Sequence, residues 1–189
     1  MAGHNKWAQI KYKKAASDAK KGKLFSKLSR VITIVTKELG SDPKMNPKLA
    51  AAIEDAKAAN MPNDNIDRAI GRAKDKDASL LKEVLYEIYG PGGSTLVVTA
   101  ITDNSNRTTN EVKHILGEQG TKLGEQGSAL WAFDRAESPS DIQAGKQKFT
   151  PKFPVVLSEE DNKKLEALLE ALDNQDDIQE VYSNVLEQS

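Results

Sequence analysis

Apolar and polar positions between residues 18 and 39 recur with the period of an α-helix. At 100° per residue, one group of apolar side chains falls within an arc of roughly 120°. This group comprises Leu24, Phe25, Leu28, Val31, Ile32, Val35 and Leu39. Cations fall on an arc that adjoins and opposes it, namely Lys20, Lys23, Lys27, Arg30 and Lys37. The pattern predicts a helix that packs through one face and presents a cationic stripe on the other.

Two more helices are predicted from their boundary residues. Asn46-Pro47 is typical of an N-cap followed by proline at the first helical position, and this helix runs to about Ala59. Asn60-Met61-Pro62 repeats the pattern before a helix that ends near Ala73. Helices of this length are unstable alone in water because their nucleation is costly. We therefore expect a helical domain over residues 15–76, preceded by a basic arm at 1–14.

The chain changes character after residue 80. Segments 83–89 and 95–101 are rich in Val, Ile, Leu, Tyr and Thr, and they flank the strong turn signal Gly90-Pro91-Gly92-Gly93. The pattern predicts a β-hairpin. A phosphate-binding loop would lie between a strand and a helix and carry a Lys-Ser/Thr pair, and this turn has neither feature.

Helices and strands are predicted along the rest of the chain. They are a helix at 106–119 capped by Asn106, Thr108 or Thr109, strands at 127–134 and 153–157, a helix started by Ser158, and a strand at 178–182. We predict a multidomain α+β protein with a three-helix bundle at residues 1–78. A ferredoxin-like α/β sandwich follows at 79–189, with two helices on one face of a mainly antiparallel sheet. Residues 136–148 form a short polar linker.

Charge is distributed unevenly along the chain. Residues 1–78 hold 17 Lys or Arg against 9 Asp or Glu, whereas residues 79–189 hold 10 against 19. The first 37 residues carry ten cations and a single acid, Asp18. Such asymmetry indicates that the first half binds a polyanion, while the acidic half repels it.

Several classes of protein are excluded or disfavoured. The absence of cysteine rules out disulfides, thiol nucleophiles and thiolate metal sites. No apolar run approaches the roughly 20 residues that span a bilayer, and the N-terminus lacks the features of a secretion or mitochondrial signal. No nucleophile–base spacing or metal cluster is evident, so we expect a cytoplasmic protein that is not an enzyme and holds no metal or cofactor.

The basic N-terminal segment supplies the candidate nucleic-acid-binding residues. Lysines neutralise phosphates and release counterions, and interleaved aromatics stack on exposed bases. The candidates are His4, Lys6, Trp7, Lys11, Lys13, Lys14, Lys20, Lys21, Lys23, Lys27 and Arg30, with Tyr12 among them. The alternative is that Trp7 and Tyr12 pack in the core and the lysines only keep the protein soluble. Lysine acts as a point charge, whereas base readout in duplex DNA usually relies on Arg, Asn or Gln. This composition favours structured RNA over DNA.

Three turns are candidate partner-contact loops, each with a structural alternative. Residues 60–62 and 90–93 have sufficient explanations as turns. Arg107 is either exposed for binding or braces its loop. The candidates are Asn60, Met61, Pro62, Asn65, Gly90, Pro91, Gly92, Gly93, Asn104, Asn106 and Arg107.

Several strings of the sequence closely resemble the YebC/PmpR family, which includes the mitochondrial translational activator of cytochrome c oxidase. They are residues 1–30, residues 42–70, YGPGGSTLVV at 89–98, TDNSNRT at 102–108 and VYSN at 181–184. The resemblance implies either a transcriptional regulator or a ribosome-associated factor that eases synthesis of difficult sequences such as proline runs. Typical members insert a further α/β domain after the strand matching 127–134, and that domain is missing here.

The sequence therefore predicts a nucleic-acid-binding regulatory factor, most simply a monomer. The favoured function is a translation factor that binds ribosomal RNA and associates with the ribosome. The alternatives are a sequence-specific DNA-binding transcriptional regulator and a protein-interaction adaptor. The three differ in their ligand: structured RNA, a preferred duplex site, or no nucleic acid at all.

Overall fold

The computed structural model describes residues 18–136 and 149–186. These residues form two compact units. Residues 18–83 together with 101–104 make a helical unit, and residues 84–100, 105–136 and 149–186 make an α+β unit. The α+β class is confirmed, with helices first and a sheet domain after them. None of the helices in these residues is both long enough and apolar enough to cross a bilayer.

Three helices build the helical unit: α1 (Asp18–Leu39), α2 (Pro47–Ala58) and α3 (Asn63–Arg72). α1 packs against both of the others, as expected for helices too short to persist alone. Their shared core consists of Ile32, Ile34, Val35, Leu49, Ala52, Ala56, Met61, Ile66, Ala69 and Ile101.

Both ends of α2 are closed by the residues that the sequence singles out. The buried Asn46 accepts a hydrogen bond from the Leu49 amide at 3.0 Å, and its Nδ2 donates to the carbonyls of Val35 and Gly40, each at 2.8 Å. Asn46 therefore caps α2 and fixes the end of α1 at once. At the other end Asn60 has a φ of +59°, in the left-handed region.

The cationic face predicted for α1 is only partly exposed. Lys27 is 4% exposed, and Ile34, which lies two turns further along the same side, is 4% exposed as well. The stripe prediction is therefore wrong at Lys27. The reason is tertiary: Ile101 and Leu81 join the core against a side of α1 that the helical period assigns to solvent. Conversely, Leu39 was expected to face inward and is 54% exposed.

The α+β unit contains six strands and two helices among the described residues. The strands are β1 (Lys82–Tyr89), β2 (Thr95–Thr102), β3 (Lys122–Leu123), β4 (Phe133–Arg135), β5 (Phe149–Pro151) and β6 (Ile178–Ser183). The helices are α4 (Ser105–Glu118) and α5 (Glu159–Asp173). Four strands form one sheet in the order β3-β1-β2-β6, and β4 pairs antiparallel with β5 in a second, small sheet.

Side chains that alternate along β2 serve two different cores. Leu96, Val98 and Ala100 pack with α4 and α5 on one face of the four-stranded sheet. Val97 points to the opposite face, as strand geometry requires. There it packs with Phe133 and Phe149 of the small sheet, with Tyr182 of β6, and with Ala129 and Ala132, which precede β4. The predicted layer of two helices on one face is present, and the second face is partly covered as well.

Three predicted elements have different boundaries in the structure. Residues 127–132 form turns and a short 3₁₀ helix, so only Phe133–Arg135 of the strand predicted at 127–134 is a strand. The strand predicted at 153–157 is reduced to a single bridge between Val155 and Val185, and a strand forms at Phe149–Pro151 instead. Asn106, Thr108 and Thr109 lie inside α4, which begins at Ser105, so the capping prediction is wrong.

Candidate nucleic-acid interface

The exposed cations of the candidate interface lie in the first turns of α1. Lys20, Lys21 and Lys23 are all exposed. Cations near a helix N-terminus oppose the helix dipole, typically at a cost of some tenths of a kcal/mol. The helix dipole therefore does not account for three lysines at this position.

Seven of the sequence-predicted binding residues lie outside the described residues. They are His4, Lys6, Trp7, Lys11, Tyr12, Lys13 and Lys14. Their role stays a prediction, based on the charge of the first 37 residues.

The cations further along α1 have structural contacts. Lys27 is buried, as described above. Arg30 is half-buried, and its Nη1 lies 3.5 Å from the Ile101 carbonyl oxygen. Lys37 donates to the Ser79 carbonyl at 3.1 Å and lies 3.4 Å from the Leu81 carbonyl. The cationic surface of α1 is therefore concentrated in its first half.

The turn after α2 closes that helix and buries Met61. The Met61 amide donates to the Ala56 carbonyl and the Asn60 amide to the Lys57 carbonyl, both at 2.9 Å, which is the Schellman pattern. Met61 is 4% exposed, so its proposed partner contact is contradicted. Pro62 and Asn60 are exposed.

Asn65 has its own partner inside α3. Its Oδ1 accepts a short hydrogen bond from Arg68, whose Nε donates to the Asp64 carbonyl at 3.1 Å. The Arg68 guanidinium therefore lies along α3, where Asn65 and the Asp64 carbonyl fix its position.

The turn at residues 90–93 contains two glycines with positive φ angles. Gly92 and Gly93 have φ values of +62° and +76°. A Cβ on Gly92 would lie 2.7 Å from Leu157 Cδ2 and 2.9 Å from Asp161 Oδ2, near the start of α5. The structure therefore accounts for this glycine by close packing. Gly90 is also closely packed, since a Cβ there would lie 2.6 Å from Leu96 Cδ1.

Arg107 takes part in an ion pair within the α+β unit. Its Nη2 donates to Asp177 Oδ2 at 3.0 Å, and the Thr108 hydroxyl donates to the same oxygen at 2.6 Å. Asp177 is 2% exposed, whereas the Arg107 side chain is 43% exposed. Of the two alternatives for Arg107, bracing is observed. Asn106 is exposed, as is Asn104, whose amide donates to Thr102 Oγ1 at 2.9 Å.

More polar side chains extend this arrangement. Gln175 Nε2 donates to Glu111 Oε2 at 2.8 Å, and its Oε1 accepts from the Asp177 amide at 2.7 Å. Nearby, the hydroxyls of Tyr86 and Thr109 are 3.1 Å apart. Burial raises the pKa of Tyr86, and the carboxylates of Asp177 and Glu111 raise it further. The cluster is internally satisfied and resembles a structural clasp more than a ligand site.

Two features of the α+β unit had no signal in the sequence. Glu87 is 3% exposed, and its carboxylate accepts hydrogen bonds from three backbone amides, those of Gly127, Ala129 and Leu130. Trp131 and Phe153 form an exposed ring pair. Glu87 and Gly127 are 40 residues apart in the chain, and Trp131 and Phe153 lie at the ends of different strands. Local sequence spacing therefore could not reveal either contact.

Metal-ligating side chains are not clustered in the described part of the chain. Within residues 18–136 and 149–186, no group of three or more His, Asp or Glu side chains is arranged to hold a metal ion. The described residues present exposed lysines on a helix and polar clusters with internal hydrogen bonds elsewhere. Exposed lysines bind phosphates through charge, without reading bases.

Both the sequence and the fold of this chain are similar to those of known proteins. The chain is 39% identical to a probable transcriptional regulatory protein of Caldanaerobacter subterraneus subsp. tengcongensis, over 98% of each chain. It is 36% identical to one of Pseudothermotoga lettingae, over 97% of this chain and 93% of the relative. A crystal structure of a conserved hypothetical protein from Aquifex aeolicus superposes with a TM-score of 0.82 at 35% identity, covering 96% of this chain and 98% of that one.

The relatives also indicate what this chain lacks. The alignment with the Caldanaerobacter protein extends over 238 positions, which exceeds the 189 residues of the chain. The relative therefore carries residues that have no counterpart here. This difference is consistent with the absence of the inserted domain.

The family assignment rests on matches along nearly the whole sequence. The TACO1/YebC protein N-terminal domain matches residues 5–76. The TACO1/YebC second and third domain matches residues 81–140 and 136–185, and the break coincides with the short polar linker. The chain therefore belongs to the TACO1/YebC family.

Proposed function

We propose that this chain is a regulatory protein that binds nucleic acid through its basic N-terminal arm and the first turns of α1. The observation that carries the proposal is the exposure of Lys20, Lys21 and Lys23 directly after an arm that adds Lys6, Lys11, Lys13 and Lys14. The names of the relatives, probable transcriptional regulatory proteins, support a regulatory role.

Charge alone accounts for the phosphate affinity. If about six to ten phosphates are contacted, affinity falls roughly 10³–10⁵-fold between 50 and 200 mM salt. Each lysine that contacts a phosphate contributes about one to the slope of log affinity against log salt concentration.

The test is a triple substitution, Lys20→Gln, Lys21→Gln and Lys23→Gln, measured by fluorescence anisotropy with a labelled nucleic acid across this salt range. The slope should fall by about three, and the melting temperature should stay the same or rise slightly, because the lysines oppose the helix dipole. A matched control replaces three lysines of the acidic half, Lys113, Lys163 and Lys164, and should leave the slope unchanged. An unaltered slope in the first variant would count against the proposal.

Two classes of nucleic acid are candidate ligands for this surface. Structured RNA on the ribosome is favoured by the lysine composition, because point charges recognise backbone shape rather than base edges. A ribosome-associated factor of this kind co-sediments with ribosomal fractions in sucrose gradients at low salt. Absence of the protein from those fractions would argue against ribosome association.

Duplex DNA is the second candidate, and the names of the relatives favour it. A sequence-specific regulator discriminates its site from random duplex by about 10³-fold or more. Equal affinity for all duplexes would exclude that function. Crosslinking in cells, followed by sequencing of the attached nucleic acid, separates ribosomal RNA from promoter DNA directly.

A further inference from the structure

Trp131 and Phe153 form an exposed aromatic pair on the α+β unit. Their side chains are 59% and 51% exposed, and their ring centroids lie 5.6 Å apart at an interplanar angle of 39°. Aromatic side chains of this size contribute most by burial, so two adjoining rings left half-exposed indicate a binding surface. We propose that this pair is a stacking platform for the unpaired bases of single-stranded nucleic acid. The inference rests on the proposed function and adds a second contact surface to it.

The platform is held rigidly by backbone pairing. β4 and β5 are in antiparallel register, with Arg135 opposite Phe149. Beyond the paired residues, the amides of Lys152 and Phe153 both point at the Ala132 carbonyl oxygen, at 2.8 and 3.4 Å. Trp131 and Phe153 therefore approach each other because their strand ends are joined. A surface fixed before binding loses little conformational entropy when a ligand arrives.

The polar group of Trp131 is already satisfied. Its Nε1 donates to the Ser128 carbonyl at 2.8 Å. The indole therefore presents ring surface to solvent without needing a partner for its N–H. A π-face is what a base requires, since every base can stack whatever its hydrogen-bonding edge.

A cation lies next to one of the exposed rings. Lys152 Nζ is 5.7 Å from the Phe153 centroid. Exposed aromatics next to cations are typical of surfaces that bind single strands. An uncharged protein partner would use the rings alone. The charge of Lys152 therefore favours a polyanion as the occupant.

The Asp134 carboxylate competes with a ligand phosphate for the positive charge of Lys152. Asp134 Oδ1 lies 3.8 Å from Lys152 Nζ, and the two side chains are 68% and 52% exposed. An exposed ion pair of this kind is weak, so a phosphate can displace the carboxylate. Removing the carboxylate should therefore strengthen binding, which is a directional test of the proposal.

The two tryptophans of the chain, Trp7 and Trp131, allow both surfaces to be observed in one experiment. The full chain is labelled with 5-fluorotryptophan, and the two fluorine resonances are assigned with Trp131→Phe. It is then titrated with an unstructured single-stranded RNA and with a duplex of equal length. The Trp131 resonance should shift with the single strand and stay unchanged with the duplex.

Affinity measurements complete the test. The double variant Trp131→Ala and Phe153→Ala should bind the single strand roughly 5- to 150-fold more weakly for each base that stacks. Asp134→Asn should bind more tightly than the parent. Circular dichroism should show the same fold for all variants, because the three side chains are exposed.

The outcomes separate this inference from the proposed function. If the RNA binds and only the Trp7 resonance shifts, the platform proposal is overturned and the N-terminal surface stands. If neither resonance shifts and the RNA does not bind, both proposals fail. If Trp131→Ala instead dissociates a dimer seen by analytical ultracentrifugation, the rings bind a second copy of the chain and the platform proposal is again overturned.

Discussion

The Arg107 guanidinium donates to the carboxylate of Asp177 across 3.0 Å, which joins the first turn of α4 to the residue that precedes β6. Asp177 is buried, and its Oδ2 also receives the Thr108 hydroxyl at 2.6 Å. A buried charge is tolerated only when it is paired and hydrogen-bonded, and these two neighbouring residues of α4 supply both conditions. Part of the TDNSNRT string that identifies the family thus has a structural purpose.

This geometry predicts an order of effects between two substitutions. Thr108→Val removes a hydrogen bond from a buried carboxylate and should lower the free energy of unfolding by about 1–3 kcal/mol. Arg107→Gln removes a positive charge that pairs with the buried Asp177 carboxylate, so the loss should be larger than that of Thr108→Val, up to about 3–5 kcal/mol. Urea denaturation measures both. The salt slope of nucleic-acid binding should be unchanged in Arg107→Gln, and a reduced slope would mean that Arg107 contacts phosphate.

Lys23 and Lys27 are one helical turn apart and should behave differently. Lys23 is exposed, so Lys23→Gln should reduce the salt slope by about one and leave the melting temperature unchanged. Lys27 is buried, so Lys27→Gln should lower the free energy of unfolding by about 1–3 kcal/mol and leave the slope unchanged. Anisotropy and thermal denaturation of the two variants decide this. Equal reductions in slope would show that Lys27 reaches phosphate after all.

Glu87 should control the stability of the loop at residues 127–130. Glu87→Gln keeps one acceptor oxygen and replaces the other with an amide NH₂ group. The remaining oxygen accepts from the Ala129 and Leu130 amides, which now lie 2.6 and 2.8 Å from Glu87 Oε2, so the NH₂ group faces the Gly127 amide. The Gly127 amide should therefore lose protection in hydrogen–deuterium exchange. The core residues of β2 should keep theirs. Uniform loss of protection across the unit would instead indicate global unfolding.

Because Tyr182 is buried, we expect the stability of the fold to depend on pH in the alkaline range. Burial raises the pKa of Tyr182 well above its ordinary value of about 10, and the nearby Glu180 carboxylate raises it further. Above about pH 10 the unfolded chain therefore releases the phenolic proton while the folded chain retains it, so the free energy of unfolding falls as pH rises.

The variant Tyr182→Phe isolates this contribution and keeps the ring that packs edge-on against Phe149, at a centroid distance of 5.2 Å. Its free energy of unfolding should fall less steeply above about pH 10 than that of the parent, by up to about 1.4 kcal/mol per pH unit. Below that pH the two curves should run parallel. Parallel curves throughout would show that the hydroxyl is not protected by the fold.

Local signals in the sequence were sufficient for much of the fold. The Asn46-Pro47 and Ser158 boundaries are observed as N-caps, because a cap depends on residues three positions apart. The hairpin around Gly90-Pro91-Gly92-Gly93 is present for a similar reason, since a tight turn is decided by the conformations open to glycine and proline. The weak or missing predictions lie at 122–135 and 149–157, where strands of two or three residues give too short a pattern to read.

The sequence by itself determined where the positive charge lies, which helices form, and that the chain is an α+β protein of the TACO1/YebC family. Only the tertiary structure decided which of those charges remain at the surface, because Ile101 and Leu81 cover a face of α1 that its own period leaves open. It likewise decided that Trp131 meets Phe153 and that Glu87 meets the loop at 127–130. Contacts between residues distant in the chain depend on packing, and packing is not encoded in any local spacing.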